Sequence, residues 1–511
     1  MADGALADLK VVEYADSISG SYCGKLMADL GADVIKIEAP TSGDTARKTG
    51  PFPNDIPDAE KSGLFLYLNT NKRSVTLDLA TKAGADIFRE LVKTADVLIE
   101  NTHPSTMAGL GLDYESLRKI NPRLVMTSVT PFGQSGPYSQ WKGNDLICTH
   151  MSGLAFHTPM GGVDSDDKPP LKPGSRQSDF IAGSTAACAT MFAVMARKKL
   201  DAGQHVDVSQ HESIAAFLRH QVAYYTYDPE GLPYYRQLDR SMRVWPVILQ
   251  SLPCRDGYVF LKCTQQSQWQ ALMGLVAGDS WLNNQQFKGM FEGDFDQRAF
   301  LSTWGETICP MVVEWTMQRT EAEASATARN LNIPLSASKY TGLGYLPCKD
   351  GYVVCGCREG YQWQQLLALV GYELEDDDRF RGLFDTGFNL VEFLTQTGPM
   401  LWPEIEKWAE GRTREEITIA AQGRGLPILP CNTIEDLFKS AHLKDRRFLV
   451  EIDHPQAGSL FYPGAPFHLS ETPCKVDRPA PLLGQHNREI LGDGLGMSEQ
   501  ELASMEATGI I

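Results

Sequence analysis

Leu9-Lys10-Val11-Val12-Glu13 is followed by Gly20-Ser21-Tyr22-Cys23-Gly24-Lys25-Leu26-Met27-Ala28-Asp29-Leu30, a break at Gly31, and then Asp33-Val34-Ile35-Lys36-Ile37-Glu38. The outer runs are short and apolar, as buried strands are. The middle run has the length and composition of a helix stopped by glycine. Residues 9–38 therefore read as a βαβ opening. After a polar loop from Ala39 to Ser62 come Leu66 to Leu79 with the basic insert Asn71-Lys72-Arg73, a helical stretch Lys82–Thr94, and the strands Val97–Glu100 and Leu124–Val129. Strands alternating with helices predict an α/β fold with a largely parallel sheet covered on both faces. In such sheets ligands bind beyond the carboxyl ends of the strands. The loops there are Ala15–Ser21, Ala39–Asp44, Asn101–Pro104 and Thr130–Pro137. The first has no GxGxxG pattern, so no dinucleotide is inferred.

Further along, Ser175-Arg176-Gln177-Ser178-Asp179-Phe180-Ile181-Ala182-Gly183 places one carboxylate in front of an Ala-rich, Pro-free run extending to about Arg197, with a glycine one turn on. A long helix is predicted with Asp179 at its start. An Asp there is an ordinary N-cap, and it is also the candidate nucleophile. Ala202-Gly203-Gln204 then turns into a strand, His205–Val208, followed by a helix from Ser209 to about Tyr225. His205, His211 and Glu212 lack the HExxH spacing, and no metal site is inferred.

The chain has 511 residues, enough for two to four domains, with 42% hydrophobic and 22% charged residues. Its 47 basic and 64 acidic residues give a net charge of −17, which argues against nucleic-acid or anionic-membrane binding. The start lacks the basic end and apolar run of a signal peptide, and no stretch approaches the ~20 apolar residues of a membrane span, so a cytoplasmic protein is expected. The eleven cysteines are scattered and expected to be reduced, mostly buried thiols.

An internal repeat occupies the middle of the chain. Leu252-Pro253-Cys254-Arg255-Asp256-Gly257-Tyr258-Val259 returns 94 residues on as Leu346-Pro347-Cys348-Lys349-Asp350-Gly351-Tyr352-Val353, and Gln268-Trp269-Gln270 as Gln362-Trp363-Gln364. At a displacement of 93, Trp315 matches Trp408, Arg319-Thr320 matches Arg412-Thr413, and Ile333-Pro334 matches Leu426-Pro427. Two related α/β units are inferred, too few for a solenoid. The expected domains are 1–227, a linker 228–251, small-domain copies 252–343 and 344–440, and a return segment 441–511. Short strands are expected at Leu449–Ile452 and Leu460–Phe461, and a last helix at Gln485–Leu491. The acidic run Glu375–Asp378 reads as a solvated loop.

These residues resemble the class III CoA-transferases, the CaiB/BaiF type that includes formyl-CoA transferase, carnitine CoA-transferase and α-methylacyl-CoA racemase. The resemblance rests on Leu26–Glu38, Asn71-Lys72-Arg73-Ser74, Ala95–Asn101, Asn121-Pro122-Arg123-Leu124, Phe132-Gly133-Gln134, Asp179-x3-Gly183, Gly203–Ser209 and Ala480–His486, in family order over nearly the whole chain. It implies a large Rossmann-like domain to which the chain end returns after crossing a smaller domain, and an interlocked homodimer. It also implies an enzyme that moves CoA from an acyl-CoA to a carboxylate acceptor, with no permanently bound cofactor. The carboxylate matching Asp179 attacks the thioester, giving a mixed anhydride and then an aspartyl-CoA thioester. By position, CoA contacts are implied at Ser17, Ile18, Ser19, Ala39, Leu77, Asn101, Thr102 and Lys142.

Several positions depart from the pattern. Gly143-Asn144-Asp145 stands where racemases resemble Gly-His-Asp, and Asn cannot exchange a proton as His does. His103 stands where relatives often place a phosphate-binding Arg. The Gly-run loop of formyl-CoA transferase has no clear equivalent between Gly231 and Ser251. The alternatives are a racemase or isomerase on the same scaffold and a non-catalytic acyl-CoA-binding protein.

Overall fold

The computed structural model describes residues 4–157, 170–219, 222, 223, 226 and 250–511, the last range with short interruptions between 262 and 389. The expected linker 228–251, apart from Gln250 and Ser251, and the acidic run Glu375–Asp378 lie outside the described residues. Two compact units result: Met1–Thr158 with Leu171–Val222 and Leu437–Ile511, and Pro159–Pro170 with Ala223–Asp436.

In the first unit, β1 (Lys10–Tyr14), β2 (Asp33–Glu38), β3 (Arg73–Thr76), β4 (Val97–Glu100), β5 (Val125–Thr130) and β6 (His205–Ser209) form one parallel sheet in the order β3-β2-β1-β4-β5-β6. This is the doubly wound order, whose direction reverses between β1 and β4. The connecting helices are α1 (Ser19–Asp29), α2 (Gly63–Leu68), α3 (Lys82–Lys93), α4 (Pro104–Gly109), α5 (Tyr114–Leu117), α6 (Asp145–Met151), α7 (Gln177–Leu200) and α8 (Gln210–Ala215). Successive strand side chains point to opposite faces, so the apolar strands feed two cores. Val12, Ile37, Leu98 and Met126 pack with Phe88, Leu91 and Val92 of α3. Val11, Val34, Val97, Ile99 and Val125 pack with Cys23 and Met27 of α1 and Ala182, Ala186 and Ala193 of α7.

The start of Leu66–Leu79 belongs to α2, capped by Ser62 Oγ on the Phe65 N–H at 3.2 Å, and the basic insert Asn71-Lys72-Arg73 turns into β3, with Asn71 at φ 65°. Two expectations are corrected. Gln177–Leu200 is long and apolar enough to cross a membrane by length and composition, at a mean hydropathy of 1.4, contrary to the expectation that no stretch approaches this. Its buried stripe instead completes the second core. The last helix is Glu499–Ala507, while Arg488–Gly494 is one wide π turn. Ser498 and Glu501 form a capping box at the start of that last helix, a signal present in the sequence.

The segment after Leu437 contributes the antiparallel hairpin β13 (Leu449–His454) and β14 (Gly458–Pro463) and then runs beside β3. There Asn71 Oδ1 accepts from the Asp477 and Arg478 N–H groups, and Ser74 N–H donates to His486 Nδ1 at 3.1 Å.

Among the described residues the second unit holds two antiparallel three-stranded sheets, β7-β8-β9 (Gln250–Cys254, Gly257–Leu261, Leu335–Ala337) and β10-β11-β12 (Gly344–Cys348, Gly351–Cys355, Ile428–Pro430). Trp269 and Trp363 are fully buried, each in its own core. Asp256 Oδ1 accepts from the Glu321 N–H and Asp350 Oδ1 from the Arg414 N–H, both at 2.7 Å. Arg319 lies over the Trp315 ring and Arg412 over the Trp408 ring.

Candidate active site

The carboxyl ends of the strands around the reversal between β1 and β4 open into a cavity of about 370 Å³. Its lining includes Asp16–Ser19 after β1, Asn101 after β4, Gly143–Leu146, Arg176, Asp179 and Gln210. Asp179 is the third residue of α7, not its cap, because the helix begins at Gln177 with Arg176 ahead of it. Asp179 therefore sits in the first turn, where the helix dipole favours an anion.

Gly183, one turn on, explains the spacing. A Cβ there would stand 2.6 Å from the Ser19 carbonyl oxygen and 3.1 Å from Tyr22 Cβ. Glycine thus lets α7 press against the start of α1 and brings Asp179 to the first loop.

That loop is held from beneath by charge. Lys36, fully buried, reaches Glu13 at 2.9 Å, Asp44 at 2.7 Å and the Ala15 carbonyl at 2.9 Å. Asp44 Oδ1 in turn accepts from the Ser17 N–H at 2.8 Å, with Ser17 held at φ 61°. Burial raises the cost of each charge, but Lys36 keeps Asp44 ionised below the ordinary carboxylate range. From the side, Asn101 Oδ1 accepts from the Asp16 N–H at 2.8 Å and Nδ2 donates to the Asp16 carbonyl at 2.6 Å. Asn101 thereby ties the loop after β1 to the strand across the reversal.

The Asp179 side chain is 13% exposed. Burial, and after it the neighbouring Asp145 carboxylate, raises its pKa from 3.8 to about 6, against the pull of Arg176, the Gln210 hydrogen bond and Lys172. Arg176 Nη1 stands 3.9 Å from Asp179 Oδ2 and 3.2 Å from Ser17 Oγ. Asp145 is itself engaged: Oδ1 accepts from the Ser178 N–H at 3.0 Å and Oγ at 2.7 Å, and Oδ2 pairs with Lys172 at 2.8 Å. Gln210 Nε2 donates to Asp179 Oδ1 at 2.7 Å.

Of the residues implied as CoA contacts, Ser17, Ile18, Ser19 and Asn101 line the cavity with Asp179. The structure does not bring the other four into its lining. Leu77 is a core side chain, and its N–H is taken by the Glu38 carbonyl. Ala39 is exposed after β2, and Lys142 is exposed beside Gly143. Thr102 N–H and Oγ both donate to Glu100 Oε2 at 2.8 Å. Asn144 caps α6 through the Ile147 N–H. His103 Nε2 lies 3.1 Å from the Gln140 carbonyl oxygen. His205 and His211 have structural partners in Ser128 Oγ and the Met151 carbonyl. Asp145 was read only as part of Gly143-Asn144-Asp145, and Asp16, Arg176 and Gln210 were not singled out by motif. Gln210 follows β6 as the other loops follow their strands, and that position is the signal that finds it.

The family model described as "CoA-transferase family III" matches residues 6–341 and 337–487. The chain is 26% identical over 490 residues to the succinate–glutarate CoA-transferase of Agrobacterium fabrum, covering 96% of this chain and 95% of that one. It is 28% identical to a subunit of the succinyl-CoA:(R)-benzylsuccinate CoA-transferase of Thauera aromatica, covering 94% and 92%. Against the formyl-CoA:oxalate CoA-transferase of Streptomyces avermitilis the identity is 27%, covering 99% of each. Among solved structures, a CaiB/BaiF family protein from Brucella suis superposes with a TM-score of 0.63 at 24% identity, over 96% of this chain and 99% of that one.

Proposed function

The chain belongs to CoA-transferase family III, and on that premise we propose that Asp179 is the nucleophile through which it moves CoA from an acyl-CoA to a carboxylic acid. One observation carries the reading: the Asp179 carboxylate, in the first turn of a long helix, faces a polar cavity at the reversal of the sheet, where the neighbouring Asp145 carboxylate is already taken by Ser178 and Lys172. Asp179 attacks the donor's thioester carbon, breaking its C–S bond to give an aspartyl anhydride and CoA thiolate. The thiolate attacks the aspartyl carbonyl, releasing the donor's acid and leaving an aspartyl-CoA thioester. The acceptor carboxylate attacks that thioester, and the returning thiolate takes the acceptor's acyl group and frees Asp179. Each step exchanges one activated acyl bond for another, so no oxidant or further reactant is consumed.

Ser17, Ile18, Ser19 and Asn101 are the CoA contacts best supported by placement, because they line the cavity with Asp179. The racemase alternative is weakened by Asn144, whose side-chain oxygen is committed to capping α6. We further propose that the chain works as a cytoplasmic homodimer and that 252–343 and 344–440 are copies of one small-domain unit. The paired Asp256 and Asp350 turns, the two Arg–Trp stacks and the passage from one family match to the next at 337–341 support the duplication.

The test is intact-mass analysis after mixing with acyl-CoAs, succinyl-CoA first, and trapping with hydroxylamine or borohydride. A mass change on Asp179, absent from Asp179→Ala, is expected. Acyl-CoA binding without any adduct would refute covalent transfer.

A further inference from the structure

We propose that Gln210 is a catalytic residue, the hydrogen-bond donor that carries the negative charge formed on the aspartyl oxygen whenever the Asp179 carbonyl is attacked. This rests on Asp179 being the nucleophile. Gln210 opens α8 at the carboxyl end of β6, 5% exposed, and its Nε2 lies 2.7 Å from Asp179 Oδ1.

The orientation of its amide is fixed by the other end. Cys148 Sγ, fully buried on α6, lies 3.4 Å from Gln210 Oε1 and, more distantly, 3.7 Å from the Pro131 carbonyl oxygen. Burial, then the Asp179 and Asp145 carboxylates, pushes the Cys148 thiol up to about 12, so it stays protonated and donates. A reversed amide would aim Oε1 at the carboxylate and leave the thiol facing an N–H, two losses at once.

The chemistry uses the donor selectively. When Asp179 Oδ2 attacks the thioester, Oδ1 loses charge and becomes a carbonyl oxygen. When CoA thiolate attacks the anhydride at Cγ, or the acceptor carboxylate attacks the aspartyl-CoA thioester, a C–S or C–O bond forms at Cγ. The electron pair of the Cγ–Oδ1 double bond then moves onto Oδ1. It returns as the Cγ–O or Cγ–S bond to the leaving group breaks. A preorganised N–H aimed at that oxygen before reaction is the arrangement whose loss costs about 10²–10³ in rate.

The experiment loads the full-length enzyme with donor alone, isolates the aspartyl-CoA form, and follows its discharge by excess acceptor in a single turnover. Gln210→Met is expected to slow discharge about 10²-fold, with KM for the acyl-CoA within about threefold because binding is untouched. Gln210→Leu, of similar volume and without a donor, is expected to do the same if the Met variant does not fold. Cys148→Ala, which only frees the amide to turn, is expected to slow discharge by less. Discharge within about threefold of wild type in a folded Gln210 variant would overturn the proposal while leaving Asp179 as nucleophile. Absence of any Asp179 adduct in the wild type would overturn both.

Discussion

Replacing Asp179 with Asn is expected to abolish CoA transfer and, at neutral pH, to make the protein more stable. The carboxyl pKa rises from 3.8 to about 6 on folding because burial, then Asp145, opposes its charge. The folded state therefore holds this proton more tightly than the unfolded chain does, so stability falls as pH rises from 3.8 to about 6. The penalty is absent below that window and complete above it. At 1.36 kcal/mol per unit over about two units, it reaches ~3 kcal/mol at pH 7.5 and roughly half that at pH 5. The uncharged amide of the Asp179→Asn variant carries no such penalty, and its oxygen still accepts from Gln210. Urea unfolding of both proteins at pH 7.5, 6, 5 and 4.2, followed by tryptophan fluorescence, reads the difference directly, since every other titrating group is shared. A gain for Asp179→Asn that shrinks towards zero by about pH 4 is expected. A difference independent of pH, or a less stable variant at pH 7.5, would refute the claim that the site holds its carboxylate against an electrostatic cost.

Because the attacking group is the ionised carboxylate, kcat/KM for CoA transfer should climb with pH and level off above about 6. Arg176→Gln should move that midpoint up and Asp145→Asn should move it down, which pH–rate profiles would show; shifts in the same direction would contradict the assigned charges. Gly183→Ala places a methyl 2.6 Å from the Ser19 carbonyl oxygen. It should cost about 1–3 kcal/mol and reduce activity by displacing the first loop, both checked by thermal melts and steady-state assays. Lys36→Met leaves Asp44 and part of Glu13 uncompensated in the core and should cost about 3–5 kcal/mol in urea unfolding; a loss under about 1 kcal/mol would show that the network is not what holds Ser17.

The sequence by itself determined the parallel sheet, because β1, β2, β4 and β5 are apolar runs between helical stretches and their burial on both faces leaves a strong pattern. It also singled out Asp179 and Gly183, since a carboxylate four residues before a glycine at a helix start is a local feature. The repeat from Leu252 was legible as ordered identities. What only the tertiary structure decided depends on contacts far apart in the chain. Arg176 precedes Asp179 as the helix's cap, a matter of where backbone hydrogen bonding begins. Gly183 is required because α7 crosses Ser19, some 160 residues earlier. Leu77 looks like a loop residue after a strand, yet the core claims its side chain. Lys36, Asp44 and Asn101 act by reaching across strands to set the backbone of Asp16 and Ser17. Gln210 meets Asp179 only because β6 pairs with β5 and delivers α8 beside the first turn of α7. A pattern of residue types records which faces are buried; which polar atoms meet across them is fixed by strand order and helix approach.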